Sequence, residues 1–198
     1  MTNRREFLQT AAAALSAAPL AGRAAFASGR EAAALDGVIL DSRHGPSRDF
    51  GARAALLGAR AWTIEGDVTE LWQTELLRRW QVKPGAIAGL TERPALFLLE
   101  RLAWDHGMRV VFEAEHEPGA HGAASHRIIR TAAPDLALEL VAAGASWPSA
   151  LADALITAGS VAAADFRPTD AGLAARLGDP TKLHSWIIAP RSAIRREI

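Results

Sequence analysis

Neither cysteine nor tyrosine occurs among the 198 residues. The first absence excludes disulfides, thiolate nucleophiles, cysteine-held iron–sulfur clusters and cysteine-type zinc sites. The second removes the phenol as an acid or base. Lysine is nearly missing too, with Lys83 and Lys182 the only side-chain amines. Charge of one sign is not in excess: 22 basic and 22 acidic residues cancel, so there is no overall basic field for nucleic acid and no acidic surplus of the disordered kind. No G-x-G-x-x-G follows the first apolar run, and G-x-x-x-x-G-K-[ST], H-E-x-x-H and G-x-S-x-G do not occur. Dinucleotide binding, P-loop hydrolysis and serine hydrolysis are disfavoured on that ground, and Ser125 and Ser146 lack the surroundings of a nucleophile elbow. What is present is an ordinary globular composition, 49% hydrophobic and 22% charged, long enough for one domain with a real core.

The N-terminus has three zones. Met1 to Gln9 is polar and positive, Thr10 to Gly22 is apolar, and Ala25-Phe26-Ala27 is a small-residue ending of the A-x-A kind. An alanine-rich stretch of about a dozen residues, broken by Pro19, is too short to span a bilayer, which needs roughly 20 apolar residues. The layout is that of a cleavable signal peptide. "RREFLQ", with Arg4 and Arg5 paired and Phe7 and Leu8 behind them, resembles a twin-arginine (Tat) signal. The resemblance covers residues 1–27 only. It implies export of an already folded chain to a periplasmic or extracellular location, with the Tat translocase and signal peptidase as partners and no stable membrane span after cleavage. Cleavage after Ala27 leaves residues 28–198 as a single α/β domain. Without residues 1–27, which hold Arg4, Arg5, Arg23 and Glu6, 19 basic and 21 acidic residues remain and the net charge is −2.

Apolar runs and helical patterns then alternate. Strands are expected at 37–43, 60–67, 85–91 and 108–116, with helices at 47–59, 68–80 and 92–107 between them. In the second helix Val68, Leu71, Trp72, Leu76 and Trp80 share one face, and Asp67 with Glu70 has capping-box spacing. Pro94 lies in the first turn of the third helix and Gly107 ends it. After His116 the pattern changes to a Gly-rich loop, a strand at 126–131 that pairs antiparallel with the fourth, and alanine-rich helices near 135–143 and 148–158. Strands at 160–166 and 183–189 are expected to extend or edge the sheet. The fold class is a three-layer α/β sandwich with a mainly parallel sheet, a βαβαβαβ core and an antiparallel or mixed C-terminal extension. Six tryptophans make up half of the aromatics and read as core or partner interface.

In such a sheet, chemistry belongs outside the carboxyl ends of the strands. Asp41, His44, Glu65, Asp67, Glu115 and His116 are placed there as acid–base candidates, and Arg43, Thr91 and Arg93 as ligand-binding groups, the guanidiniums suiting a carboxylate or phosphate. Asp67 and Thr91 are equally placed as helix N-caps. His116, His121 and His126, spaced five apart beside Glu115 and Glu117, make a zinc- or copper-type site conceivable, although the spacing matches no standard motif and a Gly-rich loop carries histidines for ordinary reasons. His106 reads as a helix C-terminal residue and His184 as structural. No cofactor is assignable. Two functions follow: an exported binding or accessory protein for a small anionic ligand or an exported partner enzyme, or an acid–base lyase, isomerase or hydrolase that uses carboxylate and histidine groups with or without a metal.

Overall fold

The computed structural model describes residues 35–130, 135–157 and 182–190. The leader at 1–27 and the strand expected at 160–166 lie outside the described residues. Strand β1 (Leu35–Asp41) leads into helix α1 (Gly45–Leu56), then β2 (Ala61–Ile64). A helical stretch follows, made of α2 (Thr69–Leu71), a π-helical turn (Trp72–Leu76) and α3 (Leu77–Val82). Next come β3 (Ala86–Glu92), α4 (Arg93–Asp105), β4 (Met108–Pro118), β5 (Ala124–Arg130), α5 (Leu136–Ala142), α6 (Trp147–Thr157) and β6 (Leu183–Pro190). The π turn has a packing reason. Leu71 and Leu76 are five residues apart, too far round an α-helix to share a face, and one wider turn brings both into the core with Val68 and Trp80.

The six strands form one sheet in the order β2-β1-β3-β6-β4-β5. The β1–β2 and β1–β3 ladders are parallel; β3–β6, β6–β4 and β4–β5 are antiparallel. The first four strands therefore all run one way, and their carboxyl ends share an edge with the amino ends of β5 and β6. The α/β sandwich is present, with a mixed sheet. The placement of β6 corrects the expectation of an edge strand, because it lies between β3 and β4 and pairs along its length with both. Its burial shows why: Leu183 to Ala189 are buried without alternation, as a strand covered on both faces must be.

Two apolar layers fill the sandwich. On one face Val38, Ala88, Leu90, Phe112 and Ile187 pack under Phe50 of α1, Leu136 and Leu140 of α5, and Trp147 and Leu151 of α6. On the other Ile39, Ile87, Trp186 and Ile188 pack under Leu76 and Trp80 and under Leu96 and Leu99 of α4. Two glycines permit close approach. A methyl at Gly51 would run into Leu40, which explains a glycine inside α1, and one at Gly89 would run into the Trp186 indole. Strand β4 bulges between Val110 and Phe112. Met108 and Val110 point to the α4 side, whereas Phe112 and Ala114 point to the α6 side. The bulge therefore turns Glu113 toward α4. Among the described residues no helix is long and apolar enough to cross a membrane.

Candidate functional site

Seven buried polar side chains occur among the described residues: Asp41, Ser47, Thr91, Glu113, His116, His184 and Ser185. Six of them lie at the edge where β1 to β4 end and β5 and β6 begin, and Glu113 sits further in, opposite Trp186 and level with the middle of β3. Among the described residues no wholly buried polar side chain lies at the opposite edge, where the one buried unpartnered atom is Nε of the half-exposed Arg101 in the second half of α4. Burying an unsatisfied polar group costs about 1–3 kcal/mol, and of the seven only His184 has buried side-chain atoms without a hydrogen-bond partner.

The first cluster sits at the ends of β1 and β3. These are the strands between which the chain reverses its winding direction, since β1 is followed outward by β2 and then inward by β3, and crevices at such points hold ligands in open α/β sheets. Arg43 donates to Asp41 through Nε to Oδ1 (3.0 Å) and Nη2 to Oδ2 (2.7 Å), and Nη2 also reaches Glu92 Oε2 at 2.7 Å. Gly66, at φ +86°, lies against the guanidinium, and a side chain there would strike it. Nε2 of His44 is 3.1 Å from Glu92 Oε1 and 3.9 Å from Asp41 Oδ2, yet it is buried without an aligned hydrogen bond. Beneath them the Ser47 hydroxyl accepts from the Asp41 N–H and donates to the Leu90 carbonyl, tying β1, α1 and β3 together. Burial alone would raise the Asp41 pKa. Hydrogen bonds from the Arg43 side chain and backbone, with the nearby positive charge, outweigh that and hold it below the ordinary carboxyl value. The same partners hold the Arg43 guanidinium charged.

A second cluster lies on the α4 face. Glu113 Oε1 is 3.4 Å from both Arg93 Nη1 and His184 Nδ1, and neither contact is an aligned hydrogen bond. Both ring nitrogens of His184 are buried without a partner. Desolvation raises the Glu113 pKa, but His184, Arg93 and Arg130 more than reverse it. Alongside, Glu115 binds Lys182 (3.1 Å) and Arg127 (2.7 Å); these contacts outweigh its burial, lower its pKa and raise that of Lys182.

The third cluster is on the α6 face. His116 and His126 are register partners in the β4–β5 hairpin, as the sequence predicts. Their Nδ1 atoms are 2.7 Å apart, and His116 Nε2 is 2.7 Å from the Ser185 hydroxyl. Trp147 stacks on His116 at a centroid separation of 4.6 Å. Burial, then the nearby His126 and His184, push His116 well below the usual imidazole value, and burial lowers His126. Two neutral rings in contact share one proton along the Nδ1–Nδ1 line. Placing it on His126 lets His116 donate from Nε2 to Ser185 and leaves only a lone pair, not an N–H, unpaired at the buried His126 Nε2.

Asp41, Arg43, His44, Arg93, Glu115 and His116 thus fall on one edge. Glu65 and Asp67 are exposed beyond β2, and Asp67 accepts from the N–H and hydroxyl of Thr69, which lowers its pKa. Thr91 is neither a helix cap nor an accessible ligand group: it is fully buried inside β3, and its hydroxyl accepts from Trp186 Nε1 at 3.0 Å. Glu92 occupies the cap position of α4 instead. His121 sits exposed at the hairpin tip with φ 56°. It is not drawn in with His116 and His126: among the described residues, three ligand-type atoms lie within 4.8 Å of one another only at Asp41, His44 and Glu92. Glu92 and Glu113 belong to the strand-end segments that the sequence places on the polar rim without standing out as candidates, and Ser185 is not marked at all, although a run as continuously apolar as "LHSWIIA" signals that its leading polar residues are buried. Arg43, Arg93, Arg127 and Lys182 each already meet a carboxylate, so a simple anion would have to compete for them. No family model, curated protein or solved structure matches the chain.

Proposed function

We propose that the chain is a Tat-exported α/β binding protein that holds a small polar ligand at the carboxyl edge of its sheet, with the crevice between β1 and β3 as the binding centre. The observation that supports this reading is the gathering at that edge of six of the seven buried polar side chains of the described residues, with Glu113 just inside it. Packing alone gives no reason for the asymmetry, and a site that must present pre-oriented polar atoms to a ligand does. The ligand carries hydrogen-bonding groups of both kinds, because the edge offers carboxylates, guanidiniums and unpartnered imidazole nitrogens together. Thermal unfolding with a panel of organic acids, phosphates, polyols and divalent cations tests the idea. A true ligand raises the midpoint of the wild-type chain and loses that effect in Glu92→Gln. A panel without any such compound, on a protein that also captures no exported partner, ends it.

A second reading, an acid–base enzyme, is favoured by two imidazole–carboxylate pairs, His44 with Glu92 and His184 with Glu113. Mass spectrometry of a bound panel compound separates the two readings: a binding protein returns it unchanged, an enzyme returns a product.

A further inference from the structure

We propose that the β1–β3 crevice is a divalent transition-metal site, with Asp41 Oδ2, His44 Nε2 and Glu92 Oε1 as its protein ligands; this deepens the binding-site reading above and rests on it. The three residues come from the end of β1, the turn behind it and the end of β3, and one ligand-type atom from each lies within 4.8 Å of the other two. Ligands bonded at about 2.0–2.2 Å to one zinc-sized ion stand roughly 3–3.6 Å apart. The separation of His44 Nε2 from Glu92 Oε1 (3.1 Å) lies inside that range and that from Asp41 Oδ2 (3.9 Å) a few tenths of an ångström above it, so small side-chain rotations suffice.

Three features favour an ion over a plain salt-bridge network. First, His44 Nε2 is buried between two carboxylates and makes no aligned hydrogen bond to either, so all three groups point at one place without closing on one another. Second, Glu92 divides its oxygens: Oε2 takes Arg43, and Oε1 turns to His44. Arg43 then acts as the outer partner that orients both carboxylates, as such partners do around metal ligands. Third, the support is rigid, because Ser47 links β1 and β3 directly below the cluster. Mixed imidazole and carboxylate donors suit Zn²⁺ or Mn²⁺ better than Ca²⁺ or Mg²⁺, which favour oxygen. Two carboxylates and one guanidinium carry a charge of −1, which a divalent ion turns to +1. The occupied site would therefore attract a small anion to its open positions. His44 and Glu92 are partly solvent-exposed, which gives that anion a way in.

The test is titration of the chelator-stripped full chain with Zn²⁺ and with Mn²⁺, followed by calorimetry and by metal content after dialysis. One equivalent of one of these ions should bind. His44→Ala should weaken it by more than about a hundredfold, Glu92→Gln likewise, and His121→Ala should leave it intact. Far-ultraviolet circular dichroism confirms that each variant is folded, and His44→Ala decides the matter if Glu92→Gln is not. Absence of binding, binding that survives His44→Ala, or binding abolished instead by His116→Ala overturns the proposal. If a panel compound binds the metal-free edge while neither ion binds, the metal site fails and the binding-site reading stands.

Discussion

Gly89 shows how a single atom sets the architecture of the edge. Its missing Cβ makes room for the Trp186 indole across the sheet, and that indole in turn donates to Thr91. Gly89→Ala should cost about 1–3 kcal/mol, because a fully buried tryptophan has nowhere to move. Urea unfolding measures it, and a loss under about 0.5 kcal/mol would show that the indole is not wedged as described. His116 supplies a pH test. An imidazole held below its ordinary value resists protonation in the fold but not in the unfolded chain, so its stabilisation is complete above pH 6.5 and is lost as pH falls below it. The slope is at most about 1.4 kcal/mol per pH unit for His116, and less for the more exposed His126. The lowered carboxyls of Asp41, Glu113 and Glu115 act in a separate window, losing their contribution as pH falls below about 4.5. His116→Phe keeps a ring against Trp147 and removes the proton site, so urea midpoints between pH 6.5 and 5 should vary less with pH than in the wild type. An equal slope in both proteins would place the titration elsewhere.

Among the elements, β6 matters most, since it bridges the parallel β2-β1-β3 unit and the β4–β5 hairpin. A chain ending at residue 182 should show no cooperative unfolding transition, because β3 and β4 would each present an unpaired edge in the middle of the molecule. A retained sigmoidal melt would contradict the topology. This element also marks how far the sequence could be read. The alternation of "GVILDSR", "GAIAGLT" and "MRVVFEAEH" with helical patterns carries the sandwich, and strand-like runs on either side of a Gly-rich loop carry the hairpin, because both signals are local. The position of β6 depends on which strands leave a gap, a property of the whole sheet that no window of residues records. For the same reason Asp41, Arg43 and His44 were legible as a polar strand end. Glu92 was legible as part of a polar strand end and as the start of a helix, but its meeting with Arg43 and His44 is a contact between strands, and Glu113 needed a bulge in β4 to face Arg93.

At the scale of the whole molecule, the Tat-type leader proposed at residues 1–27 awaits a direct test of export. Replacing both Arg4 and Arg5 by lysine should leave the protein in the cytoplasm, read by cell fractionation; export that continues unchanged would assign the leader to another route. The central claim is that the carboxyl edge is where the molecule meets its ligand. Amide chemical-shift mapping of the ¹⁵N-labelled chain, titrated with zinc ion and with the organic acids and phosphates of the panel, examines it residue by residue. Shifts should concentrate at 41–47, 64–67, 90–93, 113–117 and 183–185. Shifts confined to the opposite edge, around 35–37, 84–86, 107–109 and 189–190, would contradict the account, as would no response to any probe.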